Sequence, residues 1–239
     1  MGTRLVAGIG YGSRVINPSA RFAIPNLETG LVHFGGFDAP YELAADFVVV
    51  DVETTSFNAQ TGRIIEFAAH RTSGDGAIIA SYSTLVNPGS IDTGAVHVHG
   101  ITADMLTDAP TWSQILPSVM EFMSGGIFVA HHALFDAAFV YHESVRSGVN
   151  PQLMPGVCTV WLAKQAFPEL DRHNLDAVSA RLGLANAHAH AATSDAQVVV
   201  EALPAMLAAV NQIKHYVLPH DVATHNEQLA FDVIPVKNR

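Results

Sequence analysis

Apolar positions in this chain fall into short runs, each closed by a turn signal. Phe47–Glu53, FVVVDVE, reads as a buried strand whose apolar stretch ends in two acids, Asp51 and Glu53. Residues two apart on a strand share a face, so both carboxylates are expected to leave the strand side by side. Thr55–Thr61 is a polar loop around Phe57. Arg63–Arg71, RIIEFAAHR, predicts a second strand, Gly74–Gly76 a hairpin turn, and Ala77–Val86 a third strand closed by Asn87-Pro88-Gly89. Three strands joined by short turns imply an antiparallel meander.

Beyond an irregular stretch, Ser90–Pro110, the period changes. Thr111 is an N-cap candidate for a helix through Trp112, Ile115, Val119, Met120 and Met123, with Pro117 inside it and Gly125-Gly126 at its stop. Ile127–Ala130 is a short apolar strand, followed by His131-His132 and a helix from about Leu134 to Arg146. Val157–Ala166 fits a strand or a helix, and Leu175–Leu182 a helix ended by Gly183. Ala187–Ser194 is a small, polar, histidine-bearing loop that opens a last helix near Ala192. A meander followed by alternating strands and helices predicts an α/β layer fold, a mixed sheet with helices on its faces.

Composition narrows the function. At 239 residues, with 49% hydrophobic and 14% charged residues, the chain is long enough for one generous domain plus extensions. We expect a core domain at residues 46–212, an N-terminal extension at 1–45 packed on it, and a C-terminal tail at 213–239. Within the extension, Leu31–Phe34 is a candidate edge strand. The formal charge of −10 argues against broad coating of nucleic acid, which needs many cations on phosphates, but not against gripping a few terminal nucleotides. Cys158 is the only cysteine, which excludes an internal disulfide and a cysteine-based zinc cluster. No long apolar leader is apparent, and Ala196–Val210 is interrupted and too short to span a bilayer. A soluble, cytoplasmic protein with no membrane role is expected.

Three more residues complete a chemical constellation. Asp136, in AHHALFDAAF, falls near the N-terminus of a predicted helix; by itself it is a first-turn acid favoured by the helix dipole. His190 and Asp195, in HAATSDA, flank the start of the last helix. Four carboxylates reaching one site suit two divalent cations about 3.5–4 Å apart, as in phosphoryl-transfer centres. Oxygen ligands suit Mg²⁺ or Mn²⁺. A histidine titrating near neutrality can take a proton from water. The pairs His97/His99, His131/His132 and His188/His190 lack the spacing of a helical zinc pair.

The ordered set DVETT, AHHALFD and HAATSD resembles the three motifs of the DEDDh 3′→5′ exonucleases, most nearly those of the epsilon proofreading subunits of bacterial DNA polymerase III. The segments LVNPGS, VHVHGITADML and HNLDAVSARLG agree, so the likeness runs from about Asp46 to Val210. It implies a ribonuclease-H-like fold, a mixed five-stranded sheet with helices on both faces. It also implies that Asp51, Glu53, Asp136 and Asp195 hold two divalent cations, with Glu53 also near the attacking water. His190, five residues before Asp195, would be the general base in preference to His188. Thr54 and Thr55 would contact the terminal nucleotide, and His99 and Phe135 would line its pocket. His132 joins this substrate-binding set but stands where the family usually has Asn, and Ser56 stands where it usually has Gly.

The activity implied is hydrolysis of single-stranded or frayed DNA from the 3′ end. An exoribonuclease or short-oligonucleotide nuclease is the alternative, since one contact to the 2′-OH separates the two. A non-catalytic nucleic-acid-binding or polymerase-tethering module is a third reading, disfavoured because all four acids and the histidine are present. Implied partners are DNA 3′ ends, with RNA as the alternative, and the polymerase III catalytic subunit. The tail segment ATHNEQLAFDV, residues 223–233, loosely resembles a sliding-clamp-binding peptide, with Asn226 where Gln is usual, but a short amphipathic tail packing on its own domain is the favoured expectation.

Overall fold

The computed structural model describes residues 32–34, 46–73, 75–151, 154–186 and 189–212. The three apolar runs of the meander form β2 (Phe47–Thr54), β3 (Ile64–Thr72) and β4 (Ile78–Leu85), each antiparallel to the next. β5 (Ile127–Ala130) lies parallel to β2 on its other side. The ambiguous stretch at Val157–Ala166 divides at Cys158: Met154–Cys158 is strand β6, parallel to β5, and Thr159–Ala166 is helix α5. These five strands are the expected mixed sheet. The candidate edge strand is present as β1 (Val32–Phe34), which pairs parallel to β6 and makes the order β1-β6-β5-β2-β3-β4.

The stretch read as irregular contains two short helices, α1 (Val96–His99) and α2 (Ala103–Leu106). Helix α3 (Trp112–Met123) begins at Thr111, whose amide N–H donates to Gln114 Oε1 at 2.8 Å in a capping box. Helix α4 (Ala133–Arg146) follows β5, and α6 (Leu175–Leu182) and α7 (Ala192–Gln212) are the last elements among the described residues. None of the helices among the described residues is long and apolar enough to cross a membrane.

The alternation of β2 splits the core in two. Val48, Val50 and Val52 pack with Phe67, Trp112, Val119, Phe139 and Val140, under α3 and α4. Phe47 and Val49 pack with Ala68, Val129, Leu162, Val199 and Leu203, under α5 and α7. Burying each such side chain contributes about 1.5–3 kcal/mol, and the two clusters clamp the sheet from both sides. By the same parity Asp51 and Glu53 belong to the α7 face. The acids thus sit where the apolar lining of that face stops.

Candidate active site

Asp51, Glu53 and Asp195 each offer a carboxylate oxygen within 4.8 Å of the others, and all three are half-buried. β2 supplies two of these by its period of two, and the first turn of α7 supplies the third by docking on the same face of the sheet. Asp136 and His190 do not belong to this set. Asp136 is buried, at 2% exposure, in the first turn of α4, and α4 packs on the opposite face. The helix that carries it starts just beyond the C-terminal end of β5, the strand that runs parallel beside β2.

Asp195 is held from both sides. Its Oδ1 accepts from Asn186 Nδ2 at 2.7 Å, and its Oδ2 accepts from the backbone N–H of His190 at 3.1 Å. Asn186 is held in turn by Ser194 Oγ at 2.9 Å. These bonds tie the His190 turn to the acid that follows it. His190 is half-buried and has φ of 70°. The competing His188 lies outside the described residues.

A fourth acid beside the set had no place in the sequence reading. Glu66 on β3 is the cross-strand partner of Glu53 and so shares its face. Its Oε2 accepts from the backbone N–H of Ala192 at 3.0 Å. Burial pushes its carboxyl above the usual range, the Ala192 bond opposes this, and the nearby Asp195 charge adds to it. A lone acid inside the apolar run IIEFAA was the available signal. Asn186, in contrast, carries no mark in its small-residue loop.

The loop after the acids closes on itself. Thr55 N–H donates to Arg63 O at 2.9 Å, and Thr55 Oγ1 accepts from Arg63 N–H at 3.0 Å. Thr54 Oγ1 donates to Ser56 O at 2.8 Å. Both expected nucleotide contacts thus also shape the loop. Ser56 needs no left-handed backbone, so serine in place of glycine is accommodated. Gly94, with φ of 76°, presses against Thr55: a Cβ there would overlap the Thr55 backbone, so only glycine lets the α1 loop approach.

His99 anchors that loop. Its Nδ1 accepts from Ile101 N–H at 3.0 Å and its Nε2 lies 3.1 Å from Thr93 O, which fixes the neutral tautomer protonated on Nε2. Burial holds its pKa below the usual histidine value, with the Thr93 contact opposing and His97 adding to it. Phe57 is 66% exposed and leans on Phe135, with ring centroids 6.5 Å apart; Phe135 packs on Phe139 at 4.9 Å. An exposed aromatic ring on the loop that follows the acids offers a surface on which a base can stack.

Residues 48–203 match the RNase T family, described as exonuclease, and the chain belongs to that family. It is 33% identical over 160 residues to the DNA polymerase III subunit epsilon of Aquifex aeolicus, covering 66% of this chain and 79% of that one. It is 34% identical over 184 residues to the PolC-type DNA polymerase III of Clostridium perfringens, covering 77% of this chain but 12% of the polymerase. The chain therefore spans only a small part of that relative. Among solved structures, the nuclease domain of 3′hExo, a DEDDh family member bound to rAMP, superposes with a TM-score of 0.59 at 20% identity, covering 72% of this chain and 94% of that domain. That likeness is one of fold.

Proposed function

We propose that the protein is a metal-dependent 3′→5′ exonuclease acting on single-stranded or frayed DNA and releasing nucleoside 5′-monophosphates. One observation carries the reading: three carboxylates, two from one strand and one from a helix far along the chain, bring oxygens within 4.8 Å of one another. Unscreened carboxylates at that spacing repel, and a hard divalent cation with oxygen ligands relieves the repulsion. The donor set fits Mg²⁺ or Mn²⁺; Asp51, Glu53 and Asp195 would hold it, with Asp136 completing a second position. Bound there, divalent cations would acidify water and neutralise the charge of the scissile phosphate. His190 accepts the proton of the attacking water while the bond from phosphorus to the 3′ oxygen breaks. Thr54, Thr55, His132 and Phe135 seat the terminal nucleotide, with Phe57 beneath its base. His99 acts by shaping the loop that reaches Thr55.

Residues 46–212 are the catalytic domain in this reading, flanked by an extension at 1–45 and a tail at 213–239. DNA is favoured as substrate because the curated relatives are named as DNA polymerase III components. The polymerase III catalytic subunit is the implied partner and the cytoplasm the implied compartment. The clamp-like segment of residues 223–233 lies outside the described residues, and docking on a sliding clamp stays a proposal. A second reading, an exoribonuclease, is supported by the rAMP bound to 3′hExo.

The test is a side-by-side assay of a mismatched DNA primer, single-stranded DNA and a short RNA with Mg²⁺, Mn²⁺ or chelator. We expect cation-dependent shortening from the 3′ end, fastest on DNA. Asp51→Ala and Asp195→Ala should abolish it while the fold survives, and His190→Ala should lower it about 10²–10⁴-fold. Wild-type turnover in Asp51→Ala would overturn the assignment.

A further inference from the structure

We propose that Glu66 is a positioning residue that seats the helix bearing Asp195, a role that rests on the reading above. The first amides of a helix lack partners within it, and a side chain just before the helix usually supplies one. α7 has no such residue at its start. Ala191 precedes Ala192, and neither side chain can accept a hydrogen bond. Ala192 is fully buried, so water does not substitute. Its amide is met instead by Glu66 Oε2 at 3.0 Å, from a strand 126 positions earlier.

This contact joins the two halves of the acidic set. Glu66 faces Glu53 directly across the β2–β3 ladder, and Ala192 is three residues before Asp195. Apart from a contact between His70 of β3 and the Thr193 backbone, the remaining attachment of α7 to the sheet is apolar, through Ala196, Val199, Val200 and Leu203. Apolar packing is non-directional and tolerates small slides along the helix axis. A hydrogen bond with a fixed direction does not. Glu66 therefore sets how far the first turn of α7 advances toward Asp51 and Glu53, and through the His190–Asp195 bond it also sets the His190 turn. Its own oxygens lie outside the three-carboxylate set. Burying another acid there is unfavourable unless its acceptor is needed.

The role belongs to the reach of the acceptor, not to the charge. Glu66→Gln keeps an oxygen at the same reach without charge, whereas Glu66→Asp keeps the charge and withdraws the oxygen. Three readouts separate them: Mn²⁺ affinity by calorimetry without substrate, kcat and KM on a single-stranded oligodeoxynucleotide, and hydrogen exchange at the Ala192 amide. Glu66→Gln should stay within about threefold of wild type in all three. Glu66→Asp and Glu66→Ala should weaken Mn²⁺ binding, expose the Ala192 amide, and lower kcat about 10–100-fold with KM little changed, as expected for misplaced reacting groups. The proposal is overturned if Glu66→Gln is as impaired as Glu66→Ala, or if Glu66→Asp matches wild type. If wild type neither binds Mn²⁺ nor cleaves DNA, the functional reading fails by itself; exchange at Ala192 still decides whether Glu66 seats the helix.

Discussion

At the scale of single residues, backbone conformation accounts for one departure from the family pattern. His132 has φ 79° and ψ 47°, and with His190 it is one of two non-glycine residues in the left-handed region among those described. Each stands just before a helix that presents an acid, Asp136 or Asp195. The left-handed conformation costs an ordinary residue about 1–2 kcal/mol, and asparagine and histidine adopt it more readily than most. Asn, which the family pattern has at this position, suits the left-handed backbone that His132 adopts here. We expect His132→Asn to leave stability within about 0.5 kcal/mol of wild type. His132→Val, β-branched, should lose about 1–2 kcal/mol. Urea denaturation of the three proteins checks this, and equal stability for His132→Val would mean the turn is not left-handed in solution.

At the scale of elements, partly buried ion pairs tie the helices to the sheet. Glu143 of α4, 1% exposed, receives Arg63 through Nε at 2.7 Å and Nη2 at 3.1 Å, and its Oε1 also accepts from Ile64 N–H at 3.1 Å. Arg63 reaches Pro88 O, and Arg146 reaches Ala59 O and Gln60 O, so α4 is fastened to the middle and the far end of the loop that follows Asp51 and Glu53. Arg71 does the same for α3, pairing with Asp46 at 2.8 Å and with the carbonyls of Phe122 and Ser124. Breaking a buried pair by removing one partner is strongly destabilising. Because Arg63 is a third exposed and can turn to water, the expectation for Glu143→Ala lies near the lower end of that range, about 3 kcal/mol. A midpoint unchanged in urea would show that α4 is held by packing alone.

For the whole molecule, two histidines, His70 buried and His99 half-buried, give folding a pH dependence. Burial lowers the pKa of His70, with the Thr193 backbone contact opposing, and burial lowers that of His99 as well. Above about pH 6.5 both rings are neutral whether the chain is folded or unfolded. As pH falls through that value, the unfolded chain takes up protons that the folded chain resists, so stability is lost. Glu66, with its carboxyl pushed up, acts in the opposite sense: folding favours its protonated form, so its cost is relieved as pH falls toward the carboxylate range. The two contributions separate by mutation. Measured in chelator between pH 7.5 and 5.5, stability should fall with pH, and it should fall less steeply in His70→Gln. Identical slopes would remove His70 from the account.

Local order was written in the chain itself. Runs of alternating or continuous apolar residues and their turn signals marked the meander, the capping residue of α3 and the ends of α6, because each depends on neighbours a few positions away. The pairing of Asp51 with Glu53 was legible for the same reason, since a strand's period of two needs no other segment. Docking decided the rest. That Asp195 joins those two acids while Asp136 arrives from the opposite face follows from which side of the sheet each helix covers. That Glu66 meets the Ala192 amide depends on strand register together with helix placement. These contacts join segments as much as 126 positions apart, and no local pattern encodes the distance between them.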